Sequence, residues 1–180
     1  MATLFFPDNT VLVNFAHINR ISLLERLANG NGAWCATVAQ ECSQSAKVPE
    51  LSALAQVPTV FGRPLFPTPA ELVDIYTLRE QMAGPGDERH KHLGEAETIT
   101  IITSRNLKGF FVTDDRDAAK AAKAANVSVI DTWYLIKTAV KIGDITADEA
   151  WADTQTLIAR KRGYPPCPRG RSAFDNWLKP

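Results

Sequence analysis

Short apolar runs that stop at an acidic residue alternate along this chain with longer stretches of helical spacing, and that alternation restricts what the chain can fold into. Leu4-Phe5-Phe6 ends at Pro7-Asp8 and is followed by Val11, Leu12, Phe15 and Ile18, one face of a helix. Phe110-Phe111-Val112 ends at Asp114-Asp115, before an alanine- and lysine-rich stretch, Ala118 to Ala125, that is helical by intrinsic propensity. Val127-Ser128-Val129-Ile130 ends at Asp131, placed to cap a helix that runs to Lys141 and stops at Gly143. Strand, turn and helix repeated in this way predict an α/β fold with a central parallel sheet. In such a sheet, ligands bind in the crevice outside the carboxyl ends of the strands, where these acids fall.

The remaining segments fit the same pattern. Ile21 to Ala28 is helical and stops at Asn29-Gly30-Asn31-Gly32. Ala33-Trp34-Cys35-Ala36 has the character of a further buried strand, and Thr37-Val38-Ala39-Gln40 has capping-box spacing, which puts Glu41 in the first turn of a helix. The Pro-containing segment from Lys47 to Pro67 is expected to hold a short helix and a loop. Thr68-Pro69-Ala70-Glu71 combines N-cap, proline and capping-box glutamate, and opens a helix to about Met82. Gly84-Pro85-Gly86-Asp87 begins a charged loop, in which His90 and His92 are expected to be exposed and outside any site. Gly94-Glu95-Ala96-Glu97 leads into a helix carrying Ile99, Ile101 and Ile102, and Thr146-Ala147-Asp148-Glu149 opens the last long helix, ending near Gly163. The tail from Tyr164 reads as extended, then places Phe174, Trp177 and Leu178 together for packing on the body or on a partner.

A chain of 180 residues has the size of one domain. Its first residues lack a basic segment and reach Pro7-Asp8 too soon for a secretory signal, and no apolar run approaches a membrane span. Cys35, Cys42 and Cys167 lack C-x-x-C spacing, offer no zinc-binding pattern and suit a reducing cytoplasm. Formal net charge is zero, yet from Ile158 onward six lysines and arginines face only Asp175. That basic tail is suited to nucleic-acid phosphate or an acidic partner, or is simply solvated.

Asp8, Glu41 and Asp114-Asp115 can thus converge beyond the strand ends, with Glu95 closing the set from the side. Carboxylates held that close raise one another's pKa unless a cation is bound, and magnesium or manganese favours such oxygen donors. Singly, each acid also reads as a helix cap or a solvated charge, Asp8 for the helix at Val11 and Asp115 for that at Ala118. Their order changes the balance. Asp8-Asn9-Thr10, Glu41, Gly94-Glu95-Ala96-Glu97 and Thr113-Asp114-Asp115-Arg116 resemble, in sequence, the four acidic motifs of the PIN-domain family. The resemblance spans about Leu4 to Gly143, with Glu95 where many members have aspartate and Asn9 where many have threonine or serine.

The resemblance implies a three-layer α/β/α PIN-like fold with four or five strands, residues 1–145 forming the nuclease domain and 146–180 a C-terminal helix and basic tail packed on it. It further implies a VapC-like toxin, a metal-dependent ribonuclease that leaves a 5′-phosphate and a 3′-hydroxyl. Asp8, Glu41, Glu95 and Asp115 are its catalytic set, Asp8, Glu95, Asp114 and Asp115 hold Mg2+ or Mn2+, and Thr113 supports them. Arg116, Arg160, Lys161 and Arg162 are candidates for RNA contact. A cognate antitoxin and a homodimer are the implied protein partners, in the cytoplasm. Two other readings stay open. A haloacid-dehalogenase-like phosphohydrolase also places Asp after its first strand, but Thr10 stands where its second Asp is needed. A degenerate nuclease fold serving as a protein-binding module leaves the complete acidic set unexplained.

Overall fold

The computed structural model describes residues 3–179. Three strands, β1 (Leu4–Pro7), β2 (Gly109–Val112) and β3 (Ser128–Ile130), form a parallel sheet in the order β1-β2-β3. The helices are α1 (Asn9–His17), α2 (Ile21–Ala28), α3 (Ala36–Ser45), α4 (Val57–Phe61), α5 (Pro69–Met82), α6 (Leu93–Ser104) and α7 (Arg116–Ala124). After these come α8 (Thr132–Lys141), α9 (Ala147–Ala159) and α10 (Arg171–Leu178), and a 3-10 helix spans Pro49–Gln56 before α4.

Alternation along the strands divides the interior in two. Phe5 and Val112 point into the larger cluster with Leu12 and Phe15 of α1, Leu24 of α2 and Ile136 of α8. Phe6 and Phe111, one residue out of phase, meet Ile99 and Ile102 of α6 and Ala118 and Ala122 of α7. Both faces of the sheet are therefore covered by helices, which is the burial a parallel sheet requires and which makes three layers.

Each strand passes into a helix through an aspartate. Asp8, Asp115 and Asp131 accept backbone N–H groups of Thr10, Ala118 and Tyr134, satisfying donors that a helix start leaves orphaned. The predicted capping boxes at Thr68/Glu71 and Thr146/Glu149 both form, and α5 ends at Met82.

Elsewhere the structure departs from expectation. Residues 33–36 do not make a strand. Phe5 bridges Gly32 and Cys35 bridges Leu65, so the chain changes partner within three residues and no ladder propagates. The sheet thus counts three strands among the described residues, with this segment lying along β1 through the Phe5 N–H to Asn31 (2.9 Å) and the Ala33 N–H to Phe5 (2.9 Å). The capping box at Thr37 and Gln40 does not form either, because the N–H groups of Ala36 and Thr37 donate to the Glu97 carboxylate at 3.1 and 3.2 Å. The C-terminal segment is extended only before α10, whose Phe174 is fully buried against Trp151 and Trp177. Among the described residues, no helix is long and apolar enough to cross a membrane.

Candidate active site

Asp8 leaves β1 with its N–H on the Val112 carbonyl (2.9 Å), one step beyond the ladder, so its side chain is fixed by the sheet itself. One carboxyl oxygen accepts the Thr10 N–H at 3.0 Å and the other the Thr113 hydroxyl at 2.9 Å. The side chain is buried, and its pKa is pushed up to about 7 by burial and by the charge of Glu95, against the lowering effect of those hydrogen bonds. Thr113 continues β2 through its N–H to Ile130 (3.0 Å). Its hydroxyl donates to Asp8 and accepts the Asp115 N–H at 3.1 Å, so one oxygen sets the two aspartates relative to each other.

Asp115 spends one carboxyl oxygen, Oδ1, on the Ala118 N–H at 2.8 Å as the cap of α7. Asp114, its neighbour, is turned elsewhere. Its Oδ1 accepts the Thr132 N–H (2.8 Å) and its Oδ2 accepts both the Thr132 hydroxyl and the Asn14 amide (2.6 Å each). Burial raises its pKa, and the Thr132 bonds oppose that rise. Asn14 in turn accepts the Arg162 guanidinium at 2.6 Å, and Arg162 also donates to the Thr10 carbonyl at 3.1 Å.

Glu41 and Glu95 come from two helices that meet at Gly94. A Cβ on Gly94 would lie 3.2 Å from Val38 Cγ2 and 3.4 Å from both Glu41 carboxyl oxygens, so its lack of a side chain lets α6 lie against α3 there. The Glu41 carboxyl is pushed up to about 7 by burial, then by Glu95, Asp8 and Glu97. Burial and then the charge of Asp115 raise Glu95 as well. The charge of Glu95 thus bears on both Asp8 and Glu41, that of Asp8 on Glu41, and that of Asp115 on Glu95. Glu97 is not among the converging carboxylates; it holds the start of α3.

Sequence reasoning placed His92 in an exposed loop, and the structure corrects this. His92 is 7% exposed, directly precedes α6 in a left-handed conformation (φ +64°), and its Nδ1 lies 3.9 Å from Glu95 Oε1. One donor atom each from His92, Glu95 and Asp115 fall within 4.8 Å of one another. The available signal was the His-x-x-Glu spacing, which places both side chains on one side of a helix start. His90, by contrast, is exposed. Converging, desolvated carboxylates beside a buried imidazole nitrogen without a hydrogen-bond partner suit a divalent cation, which relieves their repulsion.

The cations predicted to face RNA are dispersed. Arg116 is exposed next to Asp115 and forms no ion pair among the described residues, whereas Arg160 is paired with Glu50 at 3.1 Å. Lys161 is exposed at the end of α9, and Arg162 is half-buried on Asn14. A groove of about 850 Å³ starts at Thr113 and Asp115 and is lined by Arg116, Lys123, Tyr134, Lys137, Arg162, Tyr164 and Trp177. Lys123 flanks the acid pair in the sequence and reads there as an RNA contact or a solvated charge, whereas nothing in the sequence marks Lys137 or the three aromatic rings, because only the fold brings α8 and the C-terminal segment to one wall with α7.

No curated protein matches the chain. A family model described as DUF3368, PIN domain, matches residues 5–162, a span that runs from β1 past the end of α9 and holds every acid of the cluster. With most of its length accounted for in this way, the chain belongs to the PIN-domain family.

Proposed function

We propose that this PIN-domain protein is a divalent-metal-dependent endoribonuclease and the VapC-like toxin of a toxin–antitoxin pair. PIN domains are generally nucleases that use divalent metals, and the observation that carries the reading here is one donor atom each of His92, Glu95 and Asp115 within 4.8 Å of one another, with Asp8 and Glu41 pushed up to about 7 in part by the charge of that same Glu95. A set of acids that resists ionising together at neutral pH is poised for a cation.

Asp8, Glu95 and Asp115 hold Mg2+ or Mn2+ in this reading, and Asp114 stays behind them on Thr132 and Asn14. When bound, the ion supplies a Lewis acid for the phosphoryl oxygen and lowers the pKa of water. Glu41, whose carboxyl lies beside Glu95, takes the proton of the attacking water. The water oxygen bonds to phosphorus, the bond to the 3′-oxygen breaks, and that oxygen leaves with a proton from solvent. Thr113 keeps Asp8 and Asp115 in register throughout.

The groove beyond Asp115 supports RNA as the substrate. Arg116 and Lys123 offer charge to phosphates, while the exposed ring of Tyr134 offers a stacking face for an unpaired base. Arg162 borders the same groove, and Arg160 and Lys161 follow on the same stretch of chain. The toxin role, the antitoxin and self-association rest on the resemblance of the four motifs.

The test is incubation of the purified chain with defined single-stranded RNAs in Mg2+, in Mn2+ and in chelator, alongside Asp8→Asn and Asp115→Asn. Cleavage only with metal, lost at least about a hundredfold in both variants, is expected. Cleavage in chelator or by Asp8→Asn overturns the mechanism, and phosphate release from small monoesters points to the phosphohydrolase instead.

A further inference from the structure

We propose that His92 gives an imidazole nitrogen to the same cation as Glu95 and Asp115, making a mixed nitrogen and oxygen centre that selects a first-row transition ion such as Mn2+ over Mg2+. The inference rests on the reading of the acidic cluster as a cation site and goes beyond it by naming a ligand from outside the four acidic motifs.

The imidazole is in an unusual position for a histidine with no task. Its side chain is 6% exposed and Nδ1 has no hydrogen-bond partner, although burying an unpaired polar atom costs stability. At 3.9 Å from Glu95 Oε1 the nitrogen is beyond hydrogen-bonding range. It lies between the two separations that one octahedral ion asks of its donors, about 3.0 Å for adjacent and about 4.2 Å for opposite ligands at about 2.1 Å, so a shift of under about 1 Å seats both on one ion. With an Asp115 oxygen inside the same 4.8 Å set, three chemically suitable donors lie together.

The other edge of the ring favours the same assignment. Nε2 lies 3.7 Å from Asp87 Oδ2. Asp87 is itself held by the Gly84 N–H (2.8 Å) and the Lys91 ammonium (2.7 Å). Asp87 thus stands on the side of the ring away from Nδ1, beyond hydrogen-bonding range but where a second partner orients a ligating histidine once the two close up. The left-handed backbone at residue 92 is a conformation that side-chain-bearing residues seldom adopt, and it sets the ring immediately before α6, three residues from Glu95. Magnesium demands oxygen donors and keeps its waters, whereas imidazole raises affinity for first-row transition ions, so this donor set discriminates between them.

The experiment is titration of the full chain with Mn2+ and with Mg2+ by calorimetry, and pulsed electron paramagnetic resonance of bound Mn2+ for coupling to 14N. Wild type is expected to bind Mn2+ with 14N coupling. His92→Ala is expected to lose the coupling and to bind Mn2+ about 10–100-fold more weakly, with Mg2+ affinity changed less than about threefold. His92→Gln, closer in size and able to hydrogen-bond, repeats the measurement if the alanine variant does not fold. Mn2+ bound without nitrogen coupling, or coupling that persists in the His92 variants, overturns the proposal while leaving the cation site standing. Binding of neither ion by wild type overturns both.

Discussion

In the folded chain without a cation, Asp8 and Glu41 keep their protons up to about pH 7, whereas the ordinary values for these groups are 3.8 and 4.5. Between those limits the folded state binds more protons than the unfolded one. Stability contributed by the protonated carboxyls is therefore complete below pH 4 and is lost as pH rises through about 7. In chelator, the unfolding free energy should fall from pH 5 to pH 8 by on the order of 5 kcal/mol, and Asp8→Asn should remove roughly half of that slope. Divalent metal added at pH 8 should restore the lost stability. A chelator profile without slope would mean that these carboxyls are not desolvated together. At this scale Asp8, Glu95 and Asp115 were legible in the sequence because an acid directly after a strand or at a helix start is placed by local chain geometry. His92 was not, since its burial depends on how the loop from Gly84 folds back around Asp87, which no local spacing encodes.

Among the described elements, α3 begins on a carboxylate supplied by another helix. Its first N–H groups at Ala36 and Thr37, together with the Thr37 hydroxyl, all converge on Glu97 of α6. The carboxylate neutralises orphaned donors and sits at the positive end of the helix dipole. Glu97→Ala leaves the part-buried Thr37 N–H and hydroxyl unmet, while the Ala36 N–H keeps the Leu65 carbonyl at 3.0 Å, so unfolding measurements should show a loss of about 1–2 kcal/mol, with Glu97→Gln costing roughly half as much. Metal binding should weaken along with it, because α3 carries Glu41. An alanine variant as stable as wild type would show that water replaces the cap. The contrast with α5 explains what sequence conveys: Thr68 and Glu71 cap each other within three residues and were readable, whereas Glu97 and Ala36 are 61 residues apart. For the same reason the stretch 33–36 looked like a strand from composition alone, while its change of partner from Phe5 to Leu65 is a property of the assembled fold.

For the whole molecule, the alternation of apolar runs and helices was enough to indicate a parallel sheet covered on both faces, because β1 and β2 bury residues of both parities and β3 packs the partly buried Val129 and Ile130 on opposite faces. The C-terminal segment was less legible, since its short helix takes its stability from the body it lies on. Phe174 is fully buried between Trp151 and Trp177, and the Lys137 ammonium donates to the Trp177 carbonyl at 2.6 Å. Phe174→Ala should therefore destabilise the entire chain by about 3–5 kcal/mol in a single unfolding transition. An unchanged midpoint would show that α10 detaches without affecting the rest. Arg162, the last residue within the family match, reaches back to Asn14 and so to Asp114. Everything downstream consequently starts from a post driven into the floor of the acidic crevice. Sequence drift beyond that post can remodel the groove's far wall while the spot where a phosphodiester would be cut keeps its place.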